Sequence, residues 1–237
     1  MRIDILTLFP NMLEATLATS IVKRAQDGGQ VEIHVHDIRD WADNKHRKVD
    51  DRPFGGGPGM VMMCQPLHDA VQEVERQVNT PPIRIHFTPQ GEVLKQERVE
   101  QLATEQNILL IAGHYEGIDE RVIETLDPLE LSTGDYVLSG GEIPALLLVD
   151  AVVRLLPGVL GHADSAAQDS FSKRCNEGER LLDCPHYTRP RVWNEREVPN
   201  VLLSGDHKAV DKWREEQMIS RTAERRPDLF EHEEVDP

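Results

Sequence analysis

Glycines, a tyrosine and carboxylates gather at three places where strand-like segments end, and each place has the means to hold a small ligand. Gly113-His114-Tyr115-Glu116-Gly117-Ile118-Asp119-Glu120-Arg121 follows the apolar run Ile108 to Ala112. A tyrosine and a glutamate there could stack on a base and accept its hydrogen bonds. Acids near a helix start equally well complement a macrodipole, so the residues alone leave two readings level. GDYVLSGGEIP, residues 134–144, ends the apolar run Tyr136-Val137-Leu138 on two adjacent glycines and then opens a long apolar helix. Glycines at such a strand-to-helix junction let a ligand lie against exposed amides. Ser139 to Glu142 matches a capping box with Ser139 as N-cap, but Pro144 falls late for a first-turn proline and moves the expected start a residue or two further on. Arg52-Pro53-Phe54-Gly55-Gly56-Gly57-Pro58-Gly59-Met60 is rich in glycine, yet lacks the Lys-Ser/Thr ending of a P-loop and places Met60 where GxGxxG needs glycine. It reads as an irregular connector or a ligand-approach loop.

Other candidates read blandly by themselves. Asp150 and Arg154 lie four apart on one helix face, an ion pair worth ~0.3–0.5 kcal/mol. Asp164 and Asp169, in the polar stretch 164–171, read as solvated acids. His34 and His36 share one face of a strand, an ordinary half-buried face before a metal site. Cys64, Cys175 and Cys184 form no CxxC pair and no metal-ligand spacing.

The elements that must position these residues alternate. Strands are expected at 3–8, 31–37, 83–87 and 108–112. Helices are expected at 12–26 (ending at Gly28-Gly29), 66–78, 94–105 and 118–126, before the apolar helix that follows Gly141. The pattern is that of an α/β domain with a mostly parallel sheet. Beyond Pro157-Gly158 the periodicity fades, and 208–222 reads as a helix of a small, mainly helical second domain. The first 160 residues thus form one domain, 161–175 a flexible interdomain linker, and 176–237 a second domain with an acidic tail at Glu231, Glu233, Glu234 and Asp236.

A net charge of −16 argues against bulk electrostatic capture of nucleic acid. The charge is uneven, however: Lys45-His46-Arg47-Lys48 is a basic run, and Lys173, Arg174, Arg180, Arg189, Arg191 and Arg196 recur later, compatible with a structured RNA partner. No stretch reaches the roughly 18 apolar residues of a membrane span. The opening MRIDILTLFP reads as a strand and not a signal peptide, and with an odd cysteine count a reducing cytoplasm is expected.

RPFGGGPGM, TPQG at 88–91, GHYEGIDERV, GDYVLSGGE, LLPGVLG, DSF at 169–171, LLDCPHYTRP and LLSGDH run in order through nearly the whole chain. Together they resemble the bacterial tRNA (guanine-37-N1)-methyltransferases, the TrmD family of the knotted SPOUT methyltransferase superfamily. The resemblance implies an α/β domain tied in a deep trefoil knot, a topology that general connection rules disfavour, and a homodimer with composite active sites. It implies that S-adenosyl-L-methionine is held by Gly113 with Tyr115 and Glu116, by Thr133, Gly134, Asp135, Tyr136, Val137 and Leu138, and by Gly140, Gly141 and Pro144. It makes Asp169 the general base that removes the N1 proton of guanosine 37, with Arg154 stabilising the charge that develops. It places the tRNA anticodon arm on the second domain, with Lys173, Arg174, Arg189, Ser204 and His207 as contacts, and implies dependence on a divalent ion, usually Mg2+, for which the sequence offers no ligand cluster.

The chain departs from the family pattern at SKRCNEGER, 172–180, which is longer than expected beside the base. His114 stands where many members carry arginine, and Asp206 replaces a commoner asparagine. A knotted methyltransferase acting on a ribose hydroxyl is disfavoured by DSF and TRP. A non-catalytic RNA-binding protein is disfavoured by retention of Asp169 and Arg154, and a dinucleotide oxidoreductase by the missing fingerprint.

Overall fold

The protein is seen in a computed structural model that describes residues 1–161, 168–172 and 180–230. Asp164, Lys173, Arg174, Cys175, most of the expected 161–175 linker and the acidic tail fall outside the described residues. The chain divides into two compact units, Met1–Gly161 and His162–Pro237.

In the first unit, β1 (Arg2–Thr7) leads to α1 (Pro10–Leu17) and α2 (Ser20–Asp27). These two replace the single helix expected over 12–26. Thr19 is extended, Ser20 takes a left-handed φ of 53°, and the Thr19 hydroxyl donates to the Thr16 carbonyl at 2.8 Å. A hydroxyl that bonds the local backbone in this way competes with helix propagation. There follow β2 (Glu32–Asp37), a 3-10 turn (Ile38–Trp41), and the short pair β3 (Asp50–Asp51) and β4 (Val61–Met62). Next come α3 (Cys64–Arg76), β5 (Ile83–Val93), α4 (Gln96–Leu102) and β6 (Asn107–Ile111). The unit ends with α5 (Glu120–Leu126), β7 (Leu129–Ser132) and α6 (Glu142–Val153).

Five strands form a sheet in the order β2-β1-β6-β5-β7, with every neighbouring pair parallel. Alternation along the strands builds two cores. Ile3, Ile5, Ile85, Ile108 and Leu110 pack with residues of α1, α2, α4 and α6 on one face. Leu6, Leu109 and Ile111 pack with α3 and α5 on the other. β5 runs well past Phe87, where a strand was expected to end, because its register with β7 jumps between Phe87 and Glu92. The residues between, Thr88 to Gly91, are thrown out of the ladder.

Asp4 interrupts this apolar pattern. It is 1% exposed, takes two hydrogen bonds from Arg2 at 2.8 and 2.9 Å, and lies 2.8 Å from His36 Nε2. Burial by itself would raise the carboxyl, but the bonds to His36 and Arg2 outweigh it and hold the group below the usual carboxylate value. A lowered folded-state pKa contributes stability above the ordinary value and loses it as pH falls through the lowered one. Asp4→Asn is therefore expected to cost about 3 kcal/mol at pH 7. In urea unfolding the deficit should shrink below about pH 4, as the wild-type carboxylate takes up its proton. A deficit that stays constant into acid would show that the charge is not what Asp4 contributes.

The second unit contains the hairpin β8 (Val192–Trp193) and β9 (Arg196–Glu197), a 3-10 turn (Asn200–Leu203), the long helix α7 (His207–Arg225) and a final 3-10 turn (Pro227–Phe230). Leu181, Cys184 and Met218 make its core, against which Phe230 packs. Thr222 ties α7 to the preceding chain, accepting from the Leu182 amide at 2.9 Å while donating to the Met218 carbonyl at 2.7 Å. Asp206 caps α7, accepting from the Lys208 and Ala209 amides at 3.1 and 3.2 Å. Asparagine caps about equally well, so this departure from the family pattern carries no structural cost. Among the described residues, no helix is long and apolar enough to cross a membrane.

Candidate functional site

A cleft of about 300 Å³ opens beyond the carboxyl ends of β6 and β7 and beside the bulge of β5, at the edge where open parallel sheets bind ligands. Three loops line it: 88–90, 113–117 and 133–141, with Pro144 at the start of α6.

The 113–117 loop is held from behind. The Glu116 amide donates to the Met60 carbonyl at 3.0 Å, the Met62 amide to Gly117 at 2.9 Å, and the Asp119 amide to Met62 at 3.0 Å. The glycine-rich segment 52–60 therefore acts at its end as a clamp on this loop, and it does not line the cleft. Tyr115 is in the left-handed region at φ 63°, costly for a residue with a side chain. Burial, with the nearby Asp50, raises its hydroxyl above the usual value, with Arg39 opposing, so the phenol stays a neutral donor. Asp119 turns away to cap α5, accepting from the Arg121 amide at 3.1 Å. The Arg121 guanidinium drives its carboxyl far below the usual range. The structural reading of Asp119 holds, while Tyr115 and Glu116 are among the residues that line the cleft, with the Glu116 side chain lying against Gly59.

The 133–141 loop corrects two expectations. Tyr136-Val137-Leu138 is no strand: β7 ends at Ser132, whose hydroxyl oxygen accepts from the Gly134 amide at 3.2 Å, and the Tyr136 amide donates to Gly134 at 2.9 Å. A turn this tight cannot continue the ladder, and all three side chains are exposed. Nor does Ser139 cap the helix. The N-cap is Gly141, with no side-chain bond, and Glu142 points inward at 2% exposure to accept from the Thr7 hydroxyl at 2.8 Å. The Thr7 oxygen in turn accepts from the Phe9 amide at 2.9 Å.

What approaches Gly141 so closely is the chain itself. Its amide donates to the Gly113 carbonyl at 2.7 Å, and a Cβ at this position would stand 2.7 Å from Ala112 Cα and 3.0 Å from the Gly113 nitrogen. His114 and Gly140 form an antiparallel bridge alongside. The two loops are thereby fastened backbone to backbone across the base of the cleft.

The remaining wall comes from the displaced segment of β5. Thr88, Pro89 and Gln90 line the cleft with His86 and Phe87. Burial lowers the His86 ring, partly offset by Glu130 at 3.2 Å, so this wall is neutral. TPQG figures among the family motifs, but nothing in its residue types marks it as site-lining; the bulge that exposes it arises from pairing with β7. His114 and Ser139 are further lining residues that the sequence reading did not place.

Of the residues expected at the donor site, Asp135 alone is absent from the lining. Arg154 is the C-cap of α6, about 18 Å along the helix from Glu142, and does not line this cleft. Asp169 belongs to the second unit. Its neighbours are tied to that unit: the Phe171 amide donates to the Leu181 carbonyl at 2.7 Å, and the Asp183 amide to the Ser170 hydroxyl at 2.9 Å. Arg189 is exposed ahead of the β8–β9 hairpin, Ser204 bonds Val201 and the Asp206 amide, and His207 opens α7.

Residues 1–232 match the family described as tRNA (guanine-1)-methyltransferase TrmD. A protein of Chloroflexus aurantiacus named tRNA (guanine-N(1)-)-methyltransferase is 53% identical, over 97% of this chain and 88% of its own. Proteins of the same name from Alcanivorax borkumensis and Moorella thermoacetica are 51% and 50% identical, over 97% and 100% of this chain and 85% and 93% of theirs. With the parallel sheet and the two fastened loops at its carboxyl edge, these likenesses lead to one conclusion: the chain belongs to the tRNA (guanine-1)-methyltransferase family.

Proposed function

We propose that this chain transfers a methyl group from S-adenosyl-L-methionine to N1 of guanosine 37 of tRNA, beside the anticodon, with Asp169 as general base. The observation that carries the reading is the convergence of loops 88–90, 113–117 and 133–141 on one cleft in a chain of this family. The lining suits such a donor: Phe87, Leu131, Leu138 and Pro144 offer apolar contact, while the glycines at 113, 117, 134, 140 and 141 carry no side chain to keep a purine or the polar end of an amino acid from the main chain. When bound, the donor supplies an electrophilic methyl on a sulfonium sulfur. The chain's own part is alignment and proton handling. Guanine N1 carries a proton and attacks only as that proton leaves, so a carboxylate at Asp169 accepts it. The Arg154 guanidinium, always charged, donates to the negative charge growing on the base. The family resemblance places a trefoil knot at this edge of the sheet, where the Gly141 amide bonds the Gly113 carbonyl.

A homodimer with composite sites accounts for the separation of Arg154 from the donor cleft. Ile143 and Leu147 are exposed on α6 at helical spacing, and Asp150 and Arg154 continue the same stripe. Met12 and Phe9 are exposed as well. Such a face suits a second copy, whose cleft would receive this Arg154. In the second unit, Trp193 stands 68% exposed on a hairpin flanked by Arg189, Arg191 and Arg196, the combination of stacking face and cation that single-stranded RNA loops favour. Lys173 and Arg174 would add to it. The family resemblance adds Mg2+ as a further requirement of the reaction; among the described residues no group of three His, Cys, Asp or Glu is placed to hold a metal.

Label transfer from S-adenosyl-L-methionine to a tRNA transcript with guanosine at 36 and 37 tests the proposal. Incorporation is expected there and not into a transcript with adenosine at 37. Equal label on both, or on neither while donor still binds, would overturn the assigned target.

A further inference from the structure

β5 gives the cleft two walls of different chemistry. Ile85 and Phe87 belong to the apolar core that α6 packs, so His86 between them points to the opposite face of the sheet. His86 lines the cleft. Its cross-strand partner on β7 is Glu130, and the ring's Nδ1 lies 3.2 Å from Glu130 Oε1. A carboxylate only accepts, so the proton in this contact belongs to Nδ1. Burial holds the ring below the ordinary histidine value against the pull of Glu130, which keeps a second proton off it at neutral pH. Nε2 is then a bare acceptor. Among the described residues no group bonds it, yet it is not sealed in: the buried side-chain atom without a partner is His114 Nδ1. Gly113 leaves it uncovered, since a Cβ there would stand 3.4 Å from Nε2.

Granted the donor site proposed above, we infer that His86 Nε2 accepts a hydrogen bond from the donor molecule outside its purine, with Glu130 as the positioning residue that fixes the tautomer. The two faces of the cleft sort the parts of the donor. Phe87 and Leu131 lie on the core face, and with Pro144 at the start of α6 they suit a purine. His86 is on the other face, beside Gly113 and Ile118. Outside the purine, S-adenosyl-L-methionine has O–H donors on its ribose and N–H donors on its α-ammonium, and a neutral imidazole nitrogen accepts from either. Charge favours the same arrangement. The sulfonium and the ammonium are both cationic, so an imidazolium at this wall would repel the donor, while a neutral acceptor held by an anionic Glu130 does not.

Calorimetry of the full chain with S-adenosyl-L-methionine, beside nitrogen–proton correlation NMR of its histidine side chains, tests this. In wild type the His86 ring, assigned by its absence from H86Q, should carry its proton on Nδ1, and the Nε2 resonance should shift when donor is added. H86F keeps a ring but has neither nitrogen, and should bind about tenfold more weakly. H86Q sets its amide oxygen near the place of Nε2 and should recover most of that loss. Glu130→Leu should move the ring proton toward Nε2 in the same spectra and weaken binding. Two analogues separate the sources of the bond: loss by H86F for both 5′-methylthioadenosine and S-adenosyl-L-homocysteine assigns it to a ribose hydroxyl, and loss for the second alone assigns it to the α-ammonium. The wild-type spectrum decides the tautomer whether or not H86F folds. A proton on Nε2 in wild type, or H86F and H86Q both binding as wild type does, would overturn the inference alone. No binding of donor by wild type would overturn the donor-site reading together with it.

Discussion

Asp169→Asn is expected to lower methyl transfer by about three orders of magnitude while the donor binds as in wild type. The substitution keeps size and shape while it removes the charge and the capacity to take a proton. The segment that carries it is held by its neighbours: Phe171, at a left-handed φ of 67°, is fixed through its amide to Leu181 and through its carbonyl to Arg180 at 2.6 Å, and the Arg226 guanidinium lies 5.9 Å from its ring. An asparagine in that frame should not unfold it. Donor binding should survive because the described residues that line the 300 Å³ cleft belong to the first unit. Single-turnover transfer to saturating tRNA, with calorimetry of the donor alongside, separates the outcomes. An active variant removes Asp169 from the chemistry. A variant that loses both donor binding and turnover assigns it a structural task instead.

The sequence showed the sheet clearly and the seam hardly at all. Ile3, Ile5, Ile108 and Leu110 alternate with residues of the opposite core, and that period of two needs no tertiary knowledge. Gly28 and Gly29 likewise mark the end of α2. The break at Thr19-Ser20 was invisible because apolar spacing continues across it and one side-chain-to-backbone bond decides the matter. Ser139 with Glu142 satisfied a local pattern, but Glu142 had a better partner 135 residues away in Thr7. No local rule can anticipate a hydrogen bond of that range. The bulge at Thr88 to Gly91 is of the same kind, set by the register of β5 against β7. The loops at 113–117 and 133–141 were legible as ligand-holding candidates from their glycines and their places after strands, and the family motifs gave them the proposed donor; His86, Thr88 and His114 were left out, because their places in the cleft follow from packing rather than from residue type.

Gly141→Ala is expected to disable the donor cleft at its base. An added Cβ would meet Ala112 Cα at 2.7 Å and the Gly113 nitrogen at 3.0 Å. Both are backbone atoms at the buried end of β6 and cannot rotate aside as a side chain can. Overpacking of this sort costs about 3 kcal/mol when neighbours are rigid. The cheapest relief is for residues 140–141 to lift away, breaking the 2.7 Å bond from the Gly141 amide to the Gly113 carbonyl. Binding would then have to restore that bond against the strain, which lowers donor affinity by up to about a hundredfold. Gly140→Ala makes the informative comparison, since the atoms nearest its Cβ belong to the His114 and Glu142 side chains and not to backbone. Its losses of affinity and of stability should both be smaller than those of Gly141→Ala. Ser139→Ala adds a third measurement: a capping serine would cost about 1 kcal/mol, whereas a helix capped by Gly141 should unfold at the same denaturant concentration with or without the hydroxyl. Equal affinities for Gly141→Ala and wild type would mean that the seam between Gly113 and Gly141 does not shape the donor site.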